Sequence, residues 1–439
     1  MINLKFTPHK NGLLENQSNK AEALLRISSD LKMPTHGRKR LPLNLAVVID
    51  RSGSMSGQPL EEAKKCAVML VDRMNEEDRL SVVTYDNRVD VVFPSVHVSK
   101  KEELKSRIME IRSGGQTALY DGWSVGAEQV AVHASNKCLS RVLLLSDGQA
   151  NSGLTDEDVI SEHCKTMAEN GVTTSTYGLS EYFNENLMTR MAQAGQGQSH
   201  YGQTVDDLID PFQEEFDLLE AILARKLRLR ILPEVGVNFE ILNDYLQDRQ
   251  GRFIMPDLAY GGDVWALLKV KITAEKCLKP IGSTIKLLSA FVDYLDVEGA
   301  ENRSKTAKLK IDLCSDHAYA ELPFDETVEQ RSLEVRAASI QEQAQVAARA
   351  GNWVAVDSLM DELDTLGKDN EWIAASSKKL RVYSSLRKRE AFSKESVYKA
   401  RRMKERRVSF SEARYGLSDS ASSEPSYLRR KLEQGKRQD

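Results

Sequence analysis

Asp50, Ser52 and Ser54 are the residues in this sequence whose types and spacing most directly suggest chemistry. They stand in VVIDRSGSMSG, where an apolar strand ends and a helix begins. A carboxylate and two hydroxyls, each two residues apart, can face one point above a sheet edge. Such hard oxygen donors suit Mg2+ or Mn2+ rather than Zn2+. Gly53 and Gly57 let the loop turn tightly. The same residue types also cap helices, so the triplet taken alone has two readings. Two other loops repeat the pattern. Asp147 and Gly148 follow the buried run Arg141–Ser146 (RVLLLS), and Thr117 stands in SGGQTALYDG (113–122), after a glycine pair and before an apolar helix. Singly, Thr117 reads as an N-cap and Asp147 as a turn starter. Jointly, a cap-and-turn reading requires three loops to offer oxygen donors by coincidence.

The elements that must position these residues alternate along 41–224. Leu43–Ile49, Leu80–Tyr85, Val89–Phe93, Arg141–Ser146 and Val172–Leu179 read as strands. Leu60–Met74, Lys101–Ile111, Leu119–Ala134, Asp156–Glu169, Leu187–Ala194 and Val205–Leu223 read as helices. Alternation of this kind implies right-handed crossovers and a mostly parallel, doubly wound sheet, with ligands at the carboxyl ends of its strands. After about residue 225 the pattern changes. Lys226–Leu232, Val235–Leu242, Arg252–Met255, Asp263–Thr273, Thr284–Asp296 and Ala307–Leu313 read as strands, several alternating in polarity, which predicts an antiparallel β-sandwich over 225–322. Ile2–Phe6 and Ala21–Ser28 are strand-like but too short for a domain. Segment 1–40 is therefore expected to complete the sandwich, with the α/β domain inserted in it. Residues 323–407 read as a helical domain with helices Glu329–Ala350, Trp353–Leu366 and Glu371–Arg389, and 408–439 as a basic, disordered tail.

DRSGSM, GGQTAL and LLLSDGQAN resemble, in order, spacing and strand context, the three pieces of the metal-ion-dependent adhesion site of von Willebrand factor type A domains. The resemblance covers roughly 41–224 and implies a Rossmann-like α/β fold. Carried over residue by residue, it implies Asp50, Ser52, Ser54, Thr117 and Asp147 as the five metal positions, with Mg2+ or Mn2+ as cofactor. It also implies a protein partner whose Asp or Glu completes the coordination. The flanking regions resemble bacterial, cytoplasmic proteins carrying this domain, which often work beside an ATPase, a kinase or a phosphatase. The function implied is a metal-dependent interaction module that scaffolds a complex. The alternative is an accessory subunit of a metal-chelatase or MoxR-like AAA+ ATPase system, though the acidic Pro-rich linker or AAA+ domain that usually accompanies such a subunit is not found. Surface adhesion is disfavoured, because the N-terminus has no signal-peptide h-region.

Enzyme readings are weaker. Seven histidines show no metalloprotease spacing, Ser146 has no nucleophile elbow around it, and no P-loop is present, so no catalytic residue is assigned. Five scattered cysteines without C-x-x-C suggest neither a zinc ribbon nor a disulfide framework, and a reduced, cytoplasmic protein is expected. No run of 18 apolar residues predicts a membrane span. Charge is unevenly placed. Residues 378–439 hold 19 Lys and Arg against 8 Asp and Glu, a net +11, which leaves −15 on the rest. Tail aromatics form no stacking platform, so nucleic acid is not an expected partner. Arg406-Arg407-Val408-Ser409-Phe410 fits both a basophilic kinase site, with Ser409 as phosphosite, and an ordinary helix end.

Overall fold

The computed structural model describes residues 2–31, 40–147, 151–179, 183–202 and 206–405. The tail 408–439 and its phosphosite candidate Ser409 lie outside the described residues. The chain forms two compact units. One contains 1–37, 221–296 and 300–439, and the other contains 38–220 and 297–299. The helices after residue 316 belong to the first unit and form no unit of their own.

The first unit begins with β1 (Ile2–Pro8), β2 (Gly12–Leu14) and β3 (Asn19–Ser29). The second then runs β4 (Leu43–Asp50), α1 (Gln58–Arg73), β5 (Arg79–Tyr85), β6 (Val89–His97), α2 (Lys101–Met109), α3 (Leu119–Ala131), β7 (Leu139–Ser146), α4 (Glu157–Glu169), β8 (Val172–Leu179), α5 (Glu185–Ala194), β9 (Gln196–Gly202) and α6 (Asp206–Glu220). Its sheet order is β6-β5-β4-β7-β8-β9, parallel except for β6. Every residue of β4 and β7 is buried, as expected of central parallel strands covered on both faces. Helix α3 packs closely on one face. A β-carbon on Gly126 would stand 2.3 Å from Val48 Cγ2, so only glycine permits this approach.

Back in the first unit, the strands are β10 (Ile222–Pro233), β11 (Val237–Ile241), β12 (Phe253–Ile254), β13 (Leu258–Ala259), β14 (Asp263–Ile272), β15 (Thr284–Asp296), β16 (Glu301–Arg303) and β17 (Ala307–Cys314). They make a sheet ordered β1-β3-β14-β11 and a second ordered β12-β10-β15-β17-β2, with β13 on β10 and β16 on β15. Apolar residues of both sheets, including Leu25, Ile27, Ala266 and Leu268 of the first and Leu229, Leu287, Val292 and Ile311 of the second, form one buried cluster. The second sheet is mixed, because β2 pairs with β17 in parallel.

Helices α7 (Asp316–Glu321), α8 (Glu326–Arg349), α9 (Trp353–Leu366), α10 (Glu371–Ser385) and α11 (Arg389–Glu405) follow. Val328 and Val335 of α8 cover Leu24, Trp265 and Leu267 on the outer face of the first sheet. Two sequence boundaries are corrected. The helix read to Leu223 ends at Glu220, and Ile222–Arg225 already belong to β10, so Ala221 alone separates them. The helix read to Arg389 ends at Ser385, because the backbone at Arg387 turns to φ 51°, outside helical space. Among the described residues no helix is long and apolar enough to cross a membrane, and all five cysteines are free thiols.

Candidate functional site

Asp50 ends β4, Ser146 ends β7 and Tyr85 ends β5, so three neighbouring strands finish at one level. From β4 the chain passes to β5 on one side, and β7, reached after β6, pairs on the other. A crevice at such a reversal is where open α/β sheets hold ligands. The Asp50 side chain is fully buried. One of its oxygens accepts from the Ser52 N–H at 2.8 Å. The other accepts from Ser146 Oγ at 2.7 Å and from the Tyr85 hydroxyl at 3.3 Å. Burial raises the Asp50 pKa above its ordinary value, and the bonds from Ser146 and Ser52 only partly oppose this.

Ser52 Oγ lies 3.2 Å from Ser54 Oγ, and Ser54 Oγ donates to Asp147 Oδ1 at 2.8 Å. Asp50 is therefore joined to Asp147 through Ser52, by its backbone N–H, and the Ser52 and Ser54 hydroxyls. Burial, reinforced by the negative Asp50, pushes Asp147 up to about 6. Burial thus disfavours charge on both carboxylates, in a cluster of hard oxygen donors. A divalent cation reverses that balance, so the donor set fits a hard metal ion.

Thr117 is buried, and its loop is bonded to the Asp50–Ser54 loop. Gly53 N–H donates to Gly115 O at 3.0 Å, and Gly114 N–H donates to Arg51 O at 2.6 Å. On the other side, Thr117 N–H donates to Asn151 Oδ1 at 3.1 Å, and Asn151 N–H returns a bond to Thr117 O at 3.3 Å. The three loops singled out in the sequence are thereby stitched together by backbone bonds. Of the rim residues, exposed Asp121 sits beside the 151–155 loop, where a β-carbon on Gly153 would stand 3.0 Å from its carboxylate. Glu181 lies outside the described residues.

Sequence reasoning missed three residues. Tyr85 and Ser146 hold Asp50 in place, and only their positions at strand ends could have marked them. The third is Asp86. Its carboxylate accepts from Arg88 N–H at 2.8 Å and Gly115 N–H at 3.2 Å, and it pairs with Arg51 Nε at 3.2 Å. Its backbone oxygen takes Ala118 N–H at 2.9 Å. Burial works against ionisation, but those N–H groups and the Arg51 guanidinium outweigh it and hold the Asp86 pKa low. Asp86 is thus the anchor of the Thr117 loop. The glycine pair was its signal, since a β-carbon on Gly114 would fall 2.0 Å from Asp86 Oδ2.

Behind the site, Glu215 of α6 is buried against Arg141 Nη1 at 2.8 Å and His200 Nε2 at 3.1 Å, with further bonds from Ser175 and Tyr177. Burial opposes its charge, yet the His200 contact and Arg141 bring its pKa down to about 2.

Residues 44–214 match the family model described as the von Willebrand factor type A domain. An uncharacterized protein of Synechocystis, sll0103, is 32% identical over 198 residues, which are 45% of this chain and 46% of that protein. The chain spans less than half the length of the first curated relatives it matches. The crystal structure of the ArnB paralog VWA2 from Sulfolobus acidocaldarius aligns over 92% of this chain and 99% of that one, with a TM-score of 0.62 and 19% identity. A von Willebrand factor type A protein from Catenulispora acidiphila aligns over 88% of each chain, with a TM-score of 0.63 and 14% identity. These two likenesses are of fold.

Proposed function

From the premise that residues 44–214 form a von Willebrand factor type A domain, we propose that this domain is a metal-dependent protein-interaction module. Asp50, Ser52, Ser54, Thr117 and Asp147 would hold Mg2+ or Mn2+. A partner's Asp or Glu would complete the coordination and so tether the partner in a complex. The observation that carries this reading is the chain of contacts joining two buried carboxylates at adjacent strand ends: Asp50 to the Ser52 N–H, Ser52 Oγ to Ser54 Oγ, and Ser54 Oγ to Asp147. When bound, the cation supplies an electrophilic centre that attracts a carboxylate.

The chain's own residues do the rest. Tyr85 and Ser146 orient the Asp50 carboxylate, and Ser52 N–H holds its second oxygen. Asp86 and the Asn151 amide fix the backbone on either side of Thr117. Ser54 is exposed, so the open side of the cluster faces a partner. With only two carboxylates among five donors, the site favours an anionic group from outside. Binding, rather than catalysis, is the use we assign to it.

Titration calorimetry with Mg2+ and Mn2+ tests the proposal. Asp50→Ala removes a donor but also strands the Tyr85 and Ser146 hydroxyls. Asp50→Asn keeps their partners and removes the charge. Wild type is expected to bind, and both variants to lose measurable affinity while staying folded by circular dichroism. Equal metal affinity in wild type and Asp50→Asn would overturn the proposal.

A further inference from the structure

The outer face of the β1-β3-β14-β11 sheet is only partly covered by α8. Leu24, Trp265 and Leu267 lie under the helix. One residue pair further along, the same face presents Lys20 and Glu22 of β3 and Lys269 and Lys271 of β14. Lys20 stands directly opposite Lys271 in the ladder, and Lys269 stands opposite Glu22. Like charges placed directly opposite one another on a sheet are destabilising, so this register has a cost that nothing in the core explains.

A cavity of about 180 Å³ opens here, lined by His9, Lys10, Lys20, Glu22, Lys269 and Tyr319, with Gly12 and Ala21 as small walls. Lys10 is held toward it by Tyr319. Its amine lies 5.0 Å over the ring centroid and 3.4 Å from the Tyr319 carbonyl. The acids near the cavity are turned to other work. Glu22 accepts from the Ser332 hydroxyl of α8 at 2.8 Å, and Glu329 of α8 lies 2.7 Å from His9 Nε2. Glu240 faces Lys269 across β11 and β14, but no ion pair forms between them among the described residues. Three lysines therefore line a small concave volume, and its one lining carboxylate, Glu22, already accepts a hydrogen bond from Ser332.

We propose that this cavity is a binding site for a compact oxyanion of the phosphate type, with Lys10, Lys20 and Lys269 as its cationic walls. The volume admits a phosphoryl group. Lysine binds phosphate as a point charge, without the planar fork of arginine, and three flexible amines can close on a tetrahedral anion. Binding relieves the Lys20–Lys271 repulsion, which makes the opposed lysines a device for holding an anion. Free phosphate and a phosphorylated side chain of a partner protein present this same group, and the test below separates them.

The full chain is titrated with inorganic phosphate at constant ionic strength, with chloride as the balancing salt, and backbone amide shifts are followed. A saturable response confined to residues around the cavity is expected. The double variant Lys20→Gln/Lys269→Gln keeps side-chain bulk on positions that tolerate polarity, and should weaken binding by about tenfold or more. The charge-matched control Lys308→Gln/Lys310→Gln, on exposed positions of β17, should bind as wild type does. A phosphoserine peptide bound about tenfold more tightly than inorganic phosphate would support the site with a partner's side chain as the source. Equal or weaker binding of the peptide would support it with the free ion. Absence of saturation in wild type, equal affinity in the Lys20/Lys269 variant, or equal loss in the Lys308/Lys310 control would overturn the proposal. The metal site is untouched by these variants, so its calorimetry stands or fails separately.

Discussion

Gly114 leaves no room for a side chain. A β-carbon there would lie 2.0 Å from Asp86 Oδ2, and the backbone cannot retreat, because Gly114 N–H is bonded to Arg51 O at 2.6 Å. Gly114→Ala should therefore cost about 1–3 kcal/mol, as overpacking at a fixed site does. It should also push the Thr117 loop off the carboxylates and weaken Mg2+ binding. Gly57→Ala provides the contrast. Its β-carbon meets no atom within 4 Å, although its φ of 85° strains any other residue. It should destabilise the chain while sparing metal affinity. Urea midpoints and calorimetry on both variants separate the two effects, and unchanged metal affinity in Gly114→Ala would count against Asp86 as the loop's anchor. The oxygen donors were legible in the sequence because their types and loop positions were suggestive. Tyr85, Ser146 and Asp86 were not, because each acts by where its strand ends and not by any local pattern. Of the five candidate ligands Ser54 is exposed, whereas Asp50, Ser52, Thr117 and Asp147 are buried.

At the scale of elements, α6 is fixed to its sheet by charge as well as by apolar packing. Glu215 stands among Arg141 of β7, Ser175 and Tyr177 of β8, and His200 of β9. Its pKa lies near 2, below the ordinary 4.5, so its contribution is fully present above the unfolded value and is lost as pH falls through the folded one. Glu215→Gln leaves Arg141 buried without a counter-charge and should cost about 3–5 kcal/mol at neutral pH. The gap between wild type and variant should narrow on acidification from pH 5 toward 3. A gap that stays constant over that range, measured by urea unfolding, would remove the electrostatic account. The strand-helix alternation that positions this network was readable, because buried parallel strands are continuous apolar runs. The end of α6 was not. Ile222 and Leu223 extend the helical period, and only pairing of Ile222 with Ala259 and of Ala224 with Asp296 turns them into strand. β2 escaped for a related reason. Its three residues show no period, and their strand character comes from pairing with Asp312–Cys314 at the far end of the unit.

For the whole molecule, the decisive feature is β3. It lies inside its sheet, bonded along its length to β1 on one side and to β14 on the other. Its Leu25 and Ile27 stand in the shared core. Deleting residues 1–30 would open that core and bare the edge of β14, so the truncated chain should be insoluble or fail to unfold cooperatively. A soluble truncation with a sharp thermal transition would refute this. The feature also imposes a schedule on biosynthesis. Asp263–Ile272 leaves the ribosome about 240 residues after Asn19–Ser29, which at ordinary elongation rates is a delay of roughly 12–50 s. Throughout that interval β1 and β3 have no β14 to join, while residues 38–220 of the other unit are synthesised in one continuous stretch and can fold as they appear. The most exposed moment in the life of this chain is therefore the wait of its first strands. A chaperone that holds the apolar residues Leu24, Leu25 and Ile27 of β3 would act on this protein then.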